Sequence, residues 1–182
     1  VNLALIGTRC LSPEQVEILA NKGKSLADSN NCILSGNALG ADQAWVSKLT
    51  IGQYVLYLPW VNYERQARPV GASYDVVNEE YRTLTEPYWN EYAELTKKAP
   101  WDKLKFGTKS LQARNLMMIT DCCEVYAAPG WDSVIDNATP YGPTEYLTPT
   151  GGTAFGIFLA GKMGKKCHLL RWNELTNDYQ IL

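Results

Sequence analysis

The chain is 182 residues long, with 46% hydrophobic and 20% charged residues. That balance excludes a disordered polymer and supplies a sizeable core. Its 17 Lys and Arg stand against 19 Asp and Glu, a net charge of -2. Coating nucleic acid through bulk charge is therefore disfavoured, and a local basic groove stays open.

The first element predicted is a short apolar strand, Asn2–Ile6, stopped by Gly7. Ser12 and Pro13 then read as an N-cap and first helical position. Val16, Leu19, Ala20 and Leu26 recur at near-helical spacing, so residues 13–29 form a helix. Cys32–Leu34 is a second strand, stopped by Ser35 and Gly36. Residues 40–49 read as a helix, and Tyr54–Leu58 as a third strand closed by Pro59. Residues 60–110 break the rhythm with Trp60, Tyr63, Tyr74, Tyr81, Tyr88, Trp89, Tyr92 and Trp101. This stretch is expected to be an insertion at the ligand edge, with a helix around 75–98. A helix over 110–121, a strand Glu124–Ala128, a long loop over 130–150, a helix over 152–163 and a strand Lys166–Leu170 follow.

Strands alternating with helices imply crossover units and a parallel sheet covered on both faces. The expected fold is one α/β domain over 1–182. It is a Rossmann-like three-layer sandwich, its mostly parallel sheet having about five or more strands, with the aromatic-rich insertion after the third. Right-handed crossovers place every strand's carboxyl end on one edge, where ligands of such folds bind.

Three polar turns belong to that edge: Gly7-Thr8-Arg9, the stretch Ser35-Gly36-Asn37-Ala38-Leu39-Gly40-Ala41-Asp42, and Thr150-Gly151-Gly152-Thr153. Each leads towards a helix N-terminus, where free N–H groups and the positive dipole end favour an anion. Glycine lets backbone approach phosphate oxygens, and Arg9 adds a bidentate charged donor. Phosphate or a ribose phosphate suits such a set. The spacing matches neither GxxxxGK[ST] nor a full GxGxxG, which weakens ATPase and NAD-dehydrogenase readings.

The segments ALIGTR at 4–9, LSGNALGADQAW at 34–45, RN at 114–115 and GGT at 151–153 resemble the SLOG superfamily of Rossmann-like domains. That superfamily includes DNA-processing proteins of the DprA/Smf type and LOG phosphoribohydrolases. The resemblance spans most of the chain apart from 60–110 and the tail, and its second turn is the specific part. It implies a nucleotide or nucleotide-derived ligand, held by Gly7, Thr8 and Arg9, by Ser35, Gly36, Gly40 and Asp42, by Arg114 and Asn115, and by Gly151, Gly152 and Thr153. Asn37 lies within the second of these turns. LOG enzymes carry PGGxGTxxE, whereas this chain reads PTGGTAFGIFLA, without the glutamate that would face the ribose. Sensing or sequestering a nucleotide is the leading expectation. A nucleoside monophosphate glycohydrolase and a DprA-like binder of single-stranded DNA are its rivals. A homo-oligomer is what the resemblance suggests.

A glycohydrolase needs a carboxylate near the anomeric carbon. Asp42 and Glu145 are the candidates, ahead of Asp121, Asp132 and Asp136. Asp42 has a plainer role open to it, as a helix-start residue or a partner for Arg9. Trp60, at the end of the third strand, is the aromatic expected to touch ligand, with Arg65 and Arg68 within reach of a second phosphate. His168, the single histidine, lies in a strand and is expected to be packed and hydrogen-bonded. Five cysteines without a CxxC pair, and no histidine cluster, give no expectation of a disulfide framework, metal site or cofactor. Cys32 and Cys167 read as small buried hydrophobes. No secretory signal, lipidation motif or membrane span is read, so a cytoplasmic location is expected.

Overall fold

Leu3 and Leu5 bury on one face of the first strand, and Ala4 and Ile6 on the other. This two-sided burial is what a parallel sheet between two helical layers requires. The computed structural model describes residues 1–136 and 144–182. Its main sheet has seven strands: β1 (Asn2–Gly7), β2 (Cys32–Ser35), β3 (Tyr54–Leu58), β4 (Ser73–Val76), β5 (Glu124–Ala128), β8 (Lys166–Asn173) and β9 (Asp178–Ile181). Their order is β4-β3-β2-β1-β5-β8-β9, parallel except for β9 against β8.

The helices α1 (Pro13–Asp28) and α2 (Ala41–Val46) pack together on one side of the sheet. There Leu19 and Trp45 meet Leu5, Ile33 and Leu56. The opposite layer is α3 (Glu79–Thr96), α4 (Phe106–Asp121) and α5 (Gly151–Lys162). Its core joins Trp89, Tyr92, Met118 and Phe155 to Ala4, Leu34 and Val125. The result is the three-layer α/β sandwich expected from the strand–helix alternation. At the start of α1, Ser12 and Gln15 form a reciprocal capping box behind Pro13.

Three expectations change. The helix read at 40–49 is only six residues long, Ala41–Val46. The aromatic segment does follow β3, and it is built into the sandwich: it adds β4 to the sheet edge and α3 to a helical layer. The stretch read as a loop over 130–150 is largely a hairpin, β6 (Trp131–Asp136) paired antiparallel with β7 (Thr144–Pro149). Its residues 137–143 lie outside the described set. Among the described residues, no helix is long and apolar enough to cross a membrane.

Candidate functional site

The chain runs one way from β1 to β2 and returns to the other side of β1 as β5. That reversal opens a crevice at the strand carboxyl ends, the usual ligand position in open α/β sheets. A cavity of about 310 Å³ lies there, at the lower end of the range for small-molecule sites. Its lining comes from Ile6–Cys10, from Ala38 and Asp42, from Leu111, Gln112, Arg114 and Asn115, and from Thr150–Thr153. All three polar turns therefore contribute.

Backbone contacts bind these turns to one another. Thr8 N–H donates to Ala128 at 2.9 Å, and Ala41 N–H donates to the Thr8 carbonyl at 2.9 Å. Thr150 N–H donates to Gly130 at 3.0 Å, and a Cβ on Gly130 would meet Thr150 Oγ1 at 2.8 Å and Thr8 Oγ1 at 3.6 Å. Asn115 Nδ2 donates to the Gly152 carbonyl at 3.3 Å, tying α4 to the start of α5.

The second turn is occupied by the protein itself. Arg114 Nη1 donates to Asp42 Oδ2 at 2.9 Å, and both side chains are buried. A Cβ on Gly36 would sit 1.0 Å from that Nη1, so only glycine leaves room for the guanidinium. Ser35 Oγ donates to the Asp42 carbonyl at 2.7 Å, and Asn37 Nδ2 to the Glu64 carbonyl at 3.3 Å. Burial pushes the Asp42 carboxyl up, against the pull of Arg114 and of the Ala38 and Gly7 N–H groups. Asp42 lines the cavity, but its partner is Arg114 rather than Arg9. Arg114 Nε is buried without a partner among the described residues.

Arg9 is exposed, and its Nη2 donates to Tyr63 Oη at 3.2 Å. Burial raises the Tyr63 phenol, which keeps it a neutral partner for the guanidinium. Trp60 packs edge-on against Tyr63, with ring centroids 5.1 Å apart. It lies outside the lining, and so touches the site through Tyr63 and Arg9.

The third turn is open. Thr150 caps α5 without a side-chain hydrogen bond, leaving the first amides of a 12-residue helix facing the cavity region. Among the described residues, a Cβ at Gly151 or Gly152 would meet nothing within 4 Å. Gly151 has φ +67, a backbone state that favours glycine, and Gly152 has no such constraint.

Other candidates fall elsewhere. Ser35, Gly36, Asn37 and Gly40 do not belong to the lining. Glu145 sits exposed on the hairpin, hydrogen-bonded to Ser133, and does not line the cavity. Asp132 is exposed on the same hairpin, and Asp136 ends β6. Asp121 accepts from Tyr57 Oη at 2.7 Å. Arg65 is exposed in a short 3-10 turn, and Arg68 lies 4.4 Å from the Tyr74 ring centroid. His168 is half-buried, 2.7 Å from Glu124 and stacked on Tyr126. Cys32 and Cys167 are half-buried rather than buried. Sequence reasoning missed Gln112 and Tyr63. The signal for Gln112 was its i,i+3 spacing from Asn115 on one helix; Tyr63 carried none beyond its place in an aromatic segment.

No protein-family model and no curated protein matches the sequence. Solved structures match its shape. DNA processing protein A from Helicobacter pylori, described for its single-stranded DNA binding mode, gives a TM-score of 0.63 at 17% identity. The match covers 96% of this chain and 66% of that one. The chain shares the Rossmann-like α/β fold of this protein. DNA processing protein A from Streptococcus pneumoniae gives 0.59 at 16% identity, over 97% of this chain and 52% of its own. A protein designated TM1055 gives 0.50 at 16% identity, over 91% and 71%. The chain thus spans about two thirds of the Helicobacter protein and half of the Streptococcus one.

Proposed function

We propose that this SLOG-type chain binds a nucleotide or nucleotide-derived ligand in the cavity at the β1/β5 crevice, as a sensor or sequestering protein. Phosphate sits on the free amides of Gly151, Gly152 and Thr153, and Arg9 supplies the counter-charge. The observation that carries this is Gly152. Neither its φ nor any neighbour among the described residues calls for glycine, and it lies on the cavity wall at an uncapped helix start. A close anionic ligand gives glycine a purpose there.

The test is calorimetric titration with mono-, di- and cyclic nucleotides, backed by thermal shift. A ligand at a hundred times its Kd stabilises by about 2.7 kcal/mol. Gly152→Ala is expected to fold with unchanged stability and to lose at least tenfold in affinity; Arg9→Ala is expected to lose as much. Full affinity in Gly152→Ala, or no response to any nucleotide, defeats the reading.

A second reading, single-stranded DNA, is favoured by the Helicobacter neighbour and by Trp60, which is 39% exposed beside Gly107. Aromatic platforms of this kind stack bases. Salt-sensitive binding of oligo-dT, lost in Trp60→Ala, would establish it.

A further inference from the structure

Two carboxamides stand on the α4 wall of the cavity. Gln112 is 8% exposed and Asn115 7%, and both belong to the lining. Asn115 Nδ2 donates to the Gly152 carbonyl at 3.3 Å and to Gln112 Oε1 at 3.1 Å. A backbone carbonyl only accepts, so it fixes which end of the Asn115 amide faces it, and Gln112 is fixed in turn. One acceptor, Asn115 Oδ1, and one donor, Gln112 Nε2, are left over. Among the described residues neither has a hydrogen-bond partner. Neither atom is sealed from solvent, so both stand open to a ligand in the cavity.

We propose that Gln112 and Asn115 read the vicinal hydroxyl pair of a ribose, and that the site holds this ligand without cleaving it. The proposal rests on the nucleotide reading above. A hydroxyl both donates and accepts, so neighbouring hydroxyls satisfy a donor and an acceptor side by side. The position favours sugar over base. Asn115 is bonded to Gly152, in the first turn of α5, where the phosphate is placed. In a nucleotide the sugar is the group next to the phosphate.

Retention follows from the chemistry of the wall. Carboxamides neither take nor give a proton near neutral pH. Glycosidic cleavage needs a carboxylate placed at the anomeric carbon. Among the described residues, Asp42 is the carboxylate on the lining, and it is engaged by Arg114 at 2.9 Å and by the Ala38 N–H at 3.4 Å. The wall therefore grips a sugar with no described group set to activate water against it.

The experiment titrates the full chain with ribose 5-phosphate, 2-deoxyribose 5-phosphate and inorganic phosphate, and incubates it overnight with AMP. Ribose 5-phosphate is expected to bind at least tenfold tighter than its deoxy analogue. Gln112→Leu, and Gln112→Met should the first fail to fold, are expected to bring that ratio close to one while inorganic phosphate still binds. AMP is expected to be recovered intact. Equal affinity for the two sugar phosphates, with phosphate still bound, overturns the ribose assignment and leaves the phosphate site standing. Release of free adenine overturns retention. Failure of all three probes to bind overturns the phosphate site and this inference together.

Discussion

In two of the glycine-bearing turns that border the cavity, glycine serves opposite ends. In the turn from Gly36 to Asp42 the protein itself demands it. The Arg114 guanidinium occupies the space of a Gly36 side chain. Gly40 has φ +94, and a Cβ there would meet Arg9 Cα at 2.6 Å. In the turn from Thr150 to Thr153, Gly152 has open space among the described residues and no positive φ. The turn with the more specific sequence pattern is thus the frame, holding Arg9 and Arg114 in place. The shorter, weaker pattern is the one left open for a ligand.

The sharpest way to break this contrast is Asp42→Ala. It strands a buried guanidinium, and removing one partner of such a pair costs about 3–5 kcal/mol. Denaturant unfolding should show a loss of that order; a loss below about 1 kcal/mol, the worth of an exposed pair, would mean that the turn is not locked. Next comes Gly40→Ala. A non-glycine residue forced into that φ costs about 1–3 kcal/mol, before the close contact with Arg9 is counted. Phosphate affinity should fall with it, because the Arg9 backbone must move. Unchanged stability in this variant would place both turns in the same class and remove the distinction.

How far sequence reaches differs by element. The central strands were legible because β1, β2, β3 and β5 are short apolar runs between turn residues. The edge strand β4 was not. Ser73, Tyr74 and Asp75 are exposed, so no apolar run marks it. The hairpin was hidden by its Pro-, Gly- and Thr-rich setting, and its strands face largely outward, with Ile135 62% exposed. In α4 the helix itself was readable but its role was not. It buries Gln112, Arg114 and Asn115 in its middle and Leu116 to Ile119 beyond them, so polarity changes along the axis rather than around it. Hydrophobic periodicity reports only the latter. The Arg114–Asp42 pair joins residues 72 positions apart, which no local pattern encodes.

The smallest effect is expected at the opposite edge of the sheet, and it supplies the control for the contrast. Glu124 opens β5 and lies 2.7 Å from His168. The hydrogen bond from His168 holds its carboxyl below the ordinary glutamate value of 4.5; slight burial opposes this, and Lys166 adds to it. A carboxyl lowered in the folded state stabilises above its unfolded value, and that stability is lost as pH falls through the folded value. The Glu124 side chain is 37% exposed, so solvent screening keeps the gain near 0.5 kcal/mol, about the middle of the range for exposed pairs. Glu124→Gln should therefore be less stable than the parent chain by about that much at neutral pH, and equal to it once the pH is well below 4.5. A difference that persisted undiminished in acid would assign the effect to packing rather than charge. Phosphate affinity should not change in this variant, because Glu124 sits at the amino end of a strand whose carboxyl end faces the crevice. If affinity did fall, the two glycine turns would no longer account for binding, and the far edge of the sheet would have to be counted as part of the site.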